Sequence, residues 1–92
     1  MKHEYSKAAI GRRLKLTRQA LGLKQNKLCR LAKINAQSYN QYEKGKKQPR
    51  LDTALTLCEA FGMTLDWIYR GELSGVDPAL RIKLLEQQVD RC

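Results

Sequence analysis

Apolar residues in this chain recur mainly at the three- and four-residue spacing of helices, so the pattern predicts helices and no strands. Ile10, Leu14 and Leu21 form one stripe, with Leu16 and Ala20 beside it, and define a first helix over residues 7–21. Ser6 is its expected N-cap, Tyr5 is placed to staple onto Ile10, and Gly22 stops it. A second, short helix over 25–33 turns Leu28, Leu31 and Ala32 inward, with Cys29 next to them. Asn35 then caps a third helix over 36–44, whose inner pair is Tyr39 and Tyr42 and whose end is Gly45. The segment "GKKQPR" is a loop, because Pro49 cannot sit inside a helix. A fourth helix over 51–61 carries Leu51, Ala54, Leu55, Leu57, Cys58 and Phe61 and closes at Gly62. Thr64 caps a fifth through Leu65, Trp67, Ile68 and Tyr69, closed by Gly71. Pro78 opens a last helix that runs to about residue 88. The expected fold class is therefore all-α: a five-helix bundle over residues 1–71, with a turn and an additional C-terminal helix over 72–92.

Composition narrows what such a bundle can do. With 92 residues the chain makes one domain. A chain of this size hides roughly 60–70% of its unfolded surface, which leaves little room for a catalytic cleft. Charge is unevenly spread. Residues 1–50 hold 14 Lys/Arg against Glu4 and Glu43, whereas residues 51–92 hold four against seven carboxylates. A basic half joined to a mildly acidic one suggests a face built for a polyanion, nucleic acid before all others. A membrane is a poorer partner, since no apolar run approaches the ~18 residues of a spanning helix. Without a secretory signal at the N-terminus, the expected location is cytoplasmic. Cys29, Cys58 and Cys92 are odd in number and widely spaced, which fits reduced thiols. No C-x-x-C pair is present and His3 is the one histidine, so no metal site is expected. Nor is there a nucleophile motif or a nucleotide-binding loop; no catalytic residue, cofactor or enzymatic activity is expected.

The stretch "NAQSYNQYEKGKK", residues 35–47, collects four amides (Asn35, Gln37, Asn40, Gln41) around two tyrosines. A surface helix would ordinarily use Glu and Lys there. This amide-bearing helix follows helix two across a tight link, "KIN", which is the outline of a helix-turn-helix. The span from "LKQNKLCRLAKINAQSYNQYEKGKKQPRL" to "GMTLDWI" resembles the lambda-repressor-like, Cro/XRE-type DNA-binding family. The shared landmarks are Gln25, the small Cys29, Ile34 in the turn, the Tyr42–Lys46 run, Pro49 with Leu51, and Gly62 to Trp67. They cover about residues 8–70. Three positions depart from the family pattern. Lys33 stands at a turn position where Gly is usual; Lys24 and Arg50 stand where Ser or Thr would cap helices two and four.

The resemblance implies roles. Ala36, Gln37 and Gln41 face the bases, with Asn40 at the edge of that face. Amides read adenine by paired hydrogen bonds to N6 and N7, and an alanine methyl suits the methyl of thymine. Gln25 is expected to bond a phosphate and brace Gln37. Lys24, Lys33, Lys44, Lys46, Lys47 and Arg50 are expected to grip phosphates, which position a protein on DNA without reading sequence. Glu43 pairs with Arg18, and Tyr39, Tyr42 and Trp67 belong to the core. The implied partner is double-stranded DNA. The implied function is a transcriptional regulator of bacterial or phage type, repressor or activator, acting as a homodimer on a palindromic operator. Ile68, Tyr69, Leu80, Ile82, Leu84, Leu85 and Val89 are the expected dimer interface; the alternative is a tail that folds back onto its own bundle. A second function class is an antitoxin or antiactivator, which keeps the DNA-binding fold but mainly holds a toxin or other regulator protein.

Overall fold

The computed structural model describes residues 5–90, with side chains described as far as Gln87. Six helices follow in order: α1 (Lys7–Ala20), α2 (Gln25–Ala32), α3 (Ala36–Glu43), α4 (Leu51–Phe61), α5 (Leu65–Arg70) and α6 (Pro78–Asp90). No strand occurs among the described residues. The ends fall where the capping residues put them. Ser6, Asn35 and Thr64 each accept the backbone N–H three residues on, from Ala9, Ser38 and Trp67. Tyr5, expected to staple onto Ile10, is 44% exposed.

Helix α1 runs through the centre and packs against α3, α5 and α6. Its Ile10 and Leu14 meet Leu28, Tyr39, Leu57 and Ile68 in one continuous core. The buried polar groups of this core are bonded rather than stranded. The Trp67 indole N–H donates to the Thr17 hydroxyl at 2.8 Å, and that hydroxyl donates to the Arg13 carbonyl at 2.7 Å. Arg13 is itself buried. Its Nε and Nη2 donate to the Ile68 carbonyl at 3.2 and 2.9 Å, and its guanidinium lies 6.0 Å from the centre of the Trp67 ring. A cation at that carbonyl satisfies the C-terminal end of α5 and complements its dipole. A six-residue helix has little stability alone, so this anchor and the buried Trp67 and Ile68 hold it in place.

Two expectations are corrected. Leu31 is 53% exposed rather than inward-facing. Leu28, Cys29 and Ala32 fill the buried face of α2, and Leu31 lies about 100° around the helix from its centre. The C-terminal helix is not an appendage either. Val76, Leu80 and Leu84 are buried in the same core, α6 packs on α1, and the Asp77 N–H donates to the Gly62 carbonyl at 3.0 Å. Asp77 also caps α6 by accepting the Leu80 N–H at 3.3 Å. Residues 72–87 are thus part of one bundle, because the apolar face of α1 left bare by α3 and α5 is covered by α6.

The crossing of α1 and α3 depends on a missing side chain. A Cβ at Gly11 would lie 2.3 Å from the Tyr42 carbonyl oxygen and 2.8 Å from that of Glu43. Neither backbone atom can move without displacing α3. Gly11→Ala should therefore destabilise the fold by about 3 kcal/mol, although alanine is the better helix former by about 1 kcal/mol. Urea unfolding would read this as a fall in the midpoint; an unchanged midpoint would mean that α3 can shift freely over α1.

Candidate nucleic-acid interface

Helices α2 and α3 meet through Lys33, Ile34 and Asn35. Lys33 adopts the left-handed conformation (φ 59°, ψ 48°), the one non-glycine to do so among the described residues. A side chain there costs roughly 1–2 kcal/mol against right-handed backbone. The turn is held by the Ile34 N–H, which donates to the Cys29 carbonyl at 2.9 Å, and by the Asn35 cap.

Helix α3 divides cleanly. Tyr39 and Tyr42 are buried edge to face, 6.4 Å apart at 81°, and burial pushes the Tyr39 hydroxyl pKa upward, with nearby Glu43 adding to the effect. On the far side Ala36 and Gln37 are exposed, and Asn40 and Gln41 are half-buried. Gln37, Ser38, Gln41 and Lys47 line an open recess on this face. The four expected base-reading residues thus share one outward surface.

Beside that surface lies a three-helix knot around Glu43. Arg18 donates from Nε to Glu43 Oε2 at 2.7 Å and from Nη2 to Oε1 at 3.2 Å. Its Nη1 reaches the Leu23 carbonyl at 2.9 Å. The expected ion pair is present, and the Glu43 side chain is only 4% exposed. The hydrogen bond to Glu43 raises the Arg18 pKa further above its already high value. Gln25, expected to bond a phosphate and brace Gln37, joins the same knot. Its amide donates to Glu43 Oε1 at 2.9 Å, a hydrogen bond strengthened by the carboxylate charge.

Cations surround the amide face. Lys24, Lys33, Lys44, Lys46, Lys47 and Arg50 are all exposed. Lys24 and Arg50 stand at the N-caps of α2 and α4, and neither makes a side-chain cap bond. Helix α4 is partly compensated, since Asp52 accepts the Thr53 N–H at 2.9 Å; α2 has no acidic residue in its first turn. The Arg50–Asp52 pair, at 3.8 Å and largely exposed, contributes little. Lys33, Ser38, Arg50 and Thr53 border a second recess between α3 and α4. Tyr69, half-buried, donates its hydroxyl to the Pro49 carbonyl at 2.7 Å and so fixes the loop after α3.

The expected dimer residues scatter. Ile68, Leu80 and Leu84 are consumed by the chain's own core, a correction that follows from how α5 and α6 cover α1. Ile82 and Leu85 remain 58% and 45% exposed. The Val89 side chain lies outside the described residues. Among the described residues no His, Cys, Asp or Glu group could hold a metal ion, and no helix is long and apolar enough to cross a membrane.

Two short helices at a tight left-handed turn, the second presenting amides between cations, define a helix-turn-helix protein. The helix-turn-helix family profile matches residues 14–68, and the chain belongs to this Cro/XRE-type family of DNA-binding regulators. The all-helical bundle is the lambda-repressor-like fold. A relative from Bacillus subtilis (strain 168), the "SPbeta prophage-derived uncharacterized HTH-type transcriptional regulator YonR", is 34% identical over 62 residues. The alignment covers 67% of this chain and 57% of the relative, so the chain matches just over half of that protein's length. No solved structure matches.

The uncapped start of α2 yields a test. Lys24→Ser should accept an orphan N–H of α2 and raise stability by about 1 kcal/mol, while removing a cation from the interface. A higher melting temperature with weaker DNA binding is the expected pair of results. Unchanged affinity would remove Lys24 from the phosphate contacts.

Proposed function

We propose that the chain is a sequence-specific regulator that binds double-stranded operator DNA through α3 and acts as a homodimer on a palindromic site. The observation that carries this reading is the chemistry of the outward face of α3: a methyl and three neutral amides, framed by exposed cations and set on a rigid base. Amides provide base choice and cations provide affinity, and the two kinds are segregated in space. Gln37 and Gln41 read adenine edges in the major groove, Ala36 meets a thymine methyl, and Asn40 lies at the margin. The name of the Bacillus relative, a prophage-derived transcriptional regulator, supports a regulatory role.

The dimer surface is the exposed side of α6 around Ile82 and Leu85. The same two side chains keep the second reading open, in which α6 holds a toxin or another regulator. Selection from random duplex DNA, followed by binding across a salt series, separates the two readings. A palindromic consensus bound with a steep salt slope supports the regulator; weak, sequence-blind binding favours the protein-holding module.

On the selected site, Gln37→Ala should cost about 1–3 kcal/mol and flatten the preference at one base pair per half-site, leaving non-specific binding unchanged. Equal loss on all sequences would exclude Gln37 from base reading. For the dimer, Ile82→Glu with Leu85→Glu should shift the sedimenting species from dimer to monomer without lowering helix content, because both positions are exposed. A dimer that persists places the interface elsewhere.

A further inference from the structure

One charged surface is left unused by this reading. Arg12, Lys15 and Gln19 lie at helical spacing on the solvent side of α1, and all three are exposed. Together with Ala8 and the end of α3 at Glu43 and Lys44 they border a single open groove. The groove is positioned by backbone contact and not by flexible side chains. Gly11 lets the last carbonyls of α3 touch α1, and one turn earlier a Cβ on Gly45 would stand 3.1 Å from the Ala8 Cα. The α1 stripe is therefore held rigidly beside the C-terminal end of the reading helix, where Lys44, the C-cap of α3, borders the groove.

The electrostatics of the groove are one-sided. Arg12, Lys15 and Lys44 have no carboxylate partner among the described residues. The one acid at the groove, Glu43, has a side chain only 4% exposed and already bonded by Arg18 and Gln25. A solvated helix face usually mixes both signs. This one presents cations and an amide over the length of α1, in line with the cations that flank α3.

We propose that Arg12, Lys15 and Gln19 form a second phosphate-binding track, which holds the DNA backbone outside the base pairs read by α3. The occupant is the same duplex, continued beyond the half-site. This rests on the DNA-binding reading given above. Lys44 bridges the reading face and the track, so the backbone passes from one to the other without crossing an acidic side chain. The track carries no base information; it lengthens the footprint and steepens the salt dependence.

The test uses the full chain, the double variant Arg12→Gln/Lys15→Gln and an equal-charge control, Lys27→Gln/Arg30→Gln, at two exposed positions of α2. Each is titrated at several salt concentrations onto two forms of the selected operator. One form is trimmed to the recognised base pairs and the other extended by a helical turn at each end. On the extended duplex the α1 variant should lower the slope of log K against log salt by about 2, from about 0.9 per phosphate contact. Its affinity should fall about tenfold more than that of the control. On the trimmed duplex the α1 variant and the control should behave alike. An unchanged slope on the extended duplex, or a loss shared equally by the control, overturns the track. Failure of the unaltered chain to select any duplex overturns the DNA-binding reading and the track together, whereas a selected operator indifferent to Arg12 and Lys15 overturns the track alone.

Discussion

The Glu43 carboxylate is the constraint on which the rest of the surface depends. It sits at the last residue of α3 and is engaged by Arg18 from α1 and by Gln25 from α2. One anion thus ties three helices at the point where α3 must be aimed. Breaking such a pair leaves the partner charge without compensation, which costs more than never having had it. The bond also has an electrostatic consequence. Residues 5–50 contain no other carboxylate, so hiding this one leaves an exterior of amides and cations alone. Exposed at the same place, it would repel a phosphate backbone.

The ion pair sets direction and the glycines set distance. Gly11 allows α3 to approach α1 until carbonyl oxygens occupy the space of a missing Cβ. A larger residue would push α3 outward and lengthen the bonds to Glu43, so packing and charge enforce the same geometry. The buried polar chain from Trp67 through Thr17 to the Arg13 carbonyl extends this order to α5 on the opposite flank of α1. Through Tyr69 and the Pro49 carbonyl it reaches the cation-bearing loop after α3. The scaffold behind the proposed reading face is thereby braced from both sides.

Much of this was legible in the sequence, for local reasons. Ser6, Asn35 and Thr64 announced helix starts because a cap acts within three residues, and Gly22, Gly62 and Gly71 announced ends because left-handed backbone is a one-residue property. The Arg18–Glu43 pair was legible only through the family resemblance, since 25 positions separate the partners. What periodicity could not supply was long-range choice. Leu31, Leu80 and Ile68 are equally apolar in the sequence, and only the assembled bundle decides that the first is exposed and the others buried. The role of Arg13 was not legible either, because nothing near it in sequence signals a helix end 55 residues away. Gly11 carried a faint signal, a glycine inside an otherwise favourable helix, which is often a mark of close backbone approach.

Local costs concentrate on one side of the molecule. Lys33 occupies left-handed backbone, and Lys24 and Arg50 start helices without capping them. Each is a position where glycine, serine or threonine would be more stable, and each instead presents a cation near α3. Away from this surface the chain obeys the local rules: α1 and α5 are side-chain capped, and no buried side-chain polar atom among the described residues lacks a partner. A random scatter of poor choices would not segregate in this way. Under the proposed DNA-binding function the distribution is that expected when stability is given up for binding, with the remaining core, from Ile10 to Leu84, supplying the margin that makes the loss tolerable.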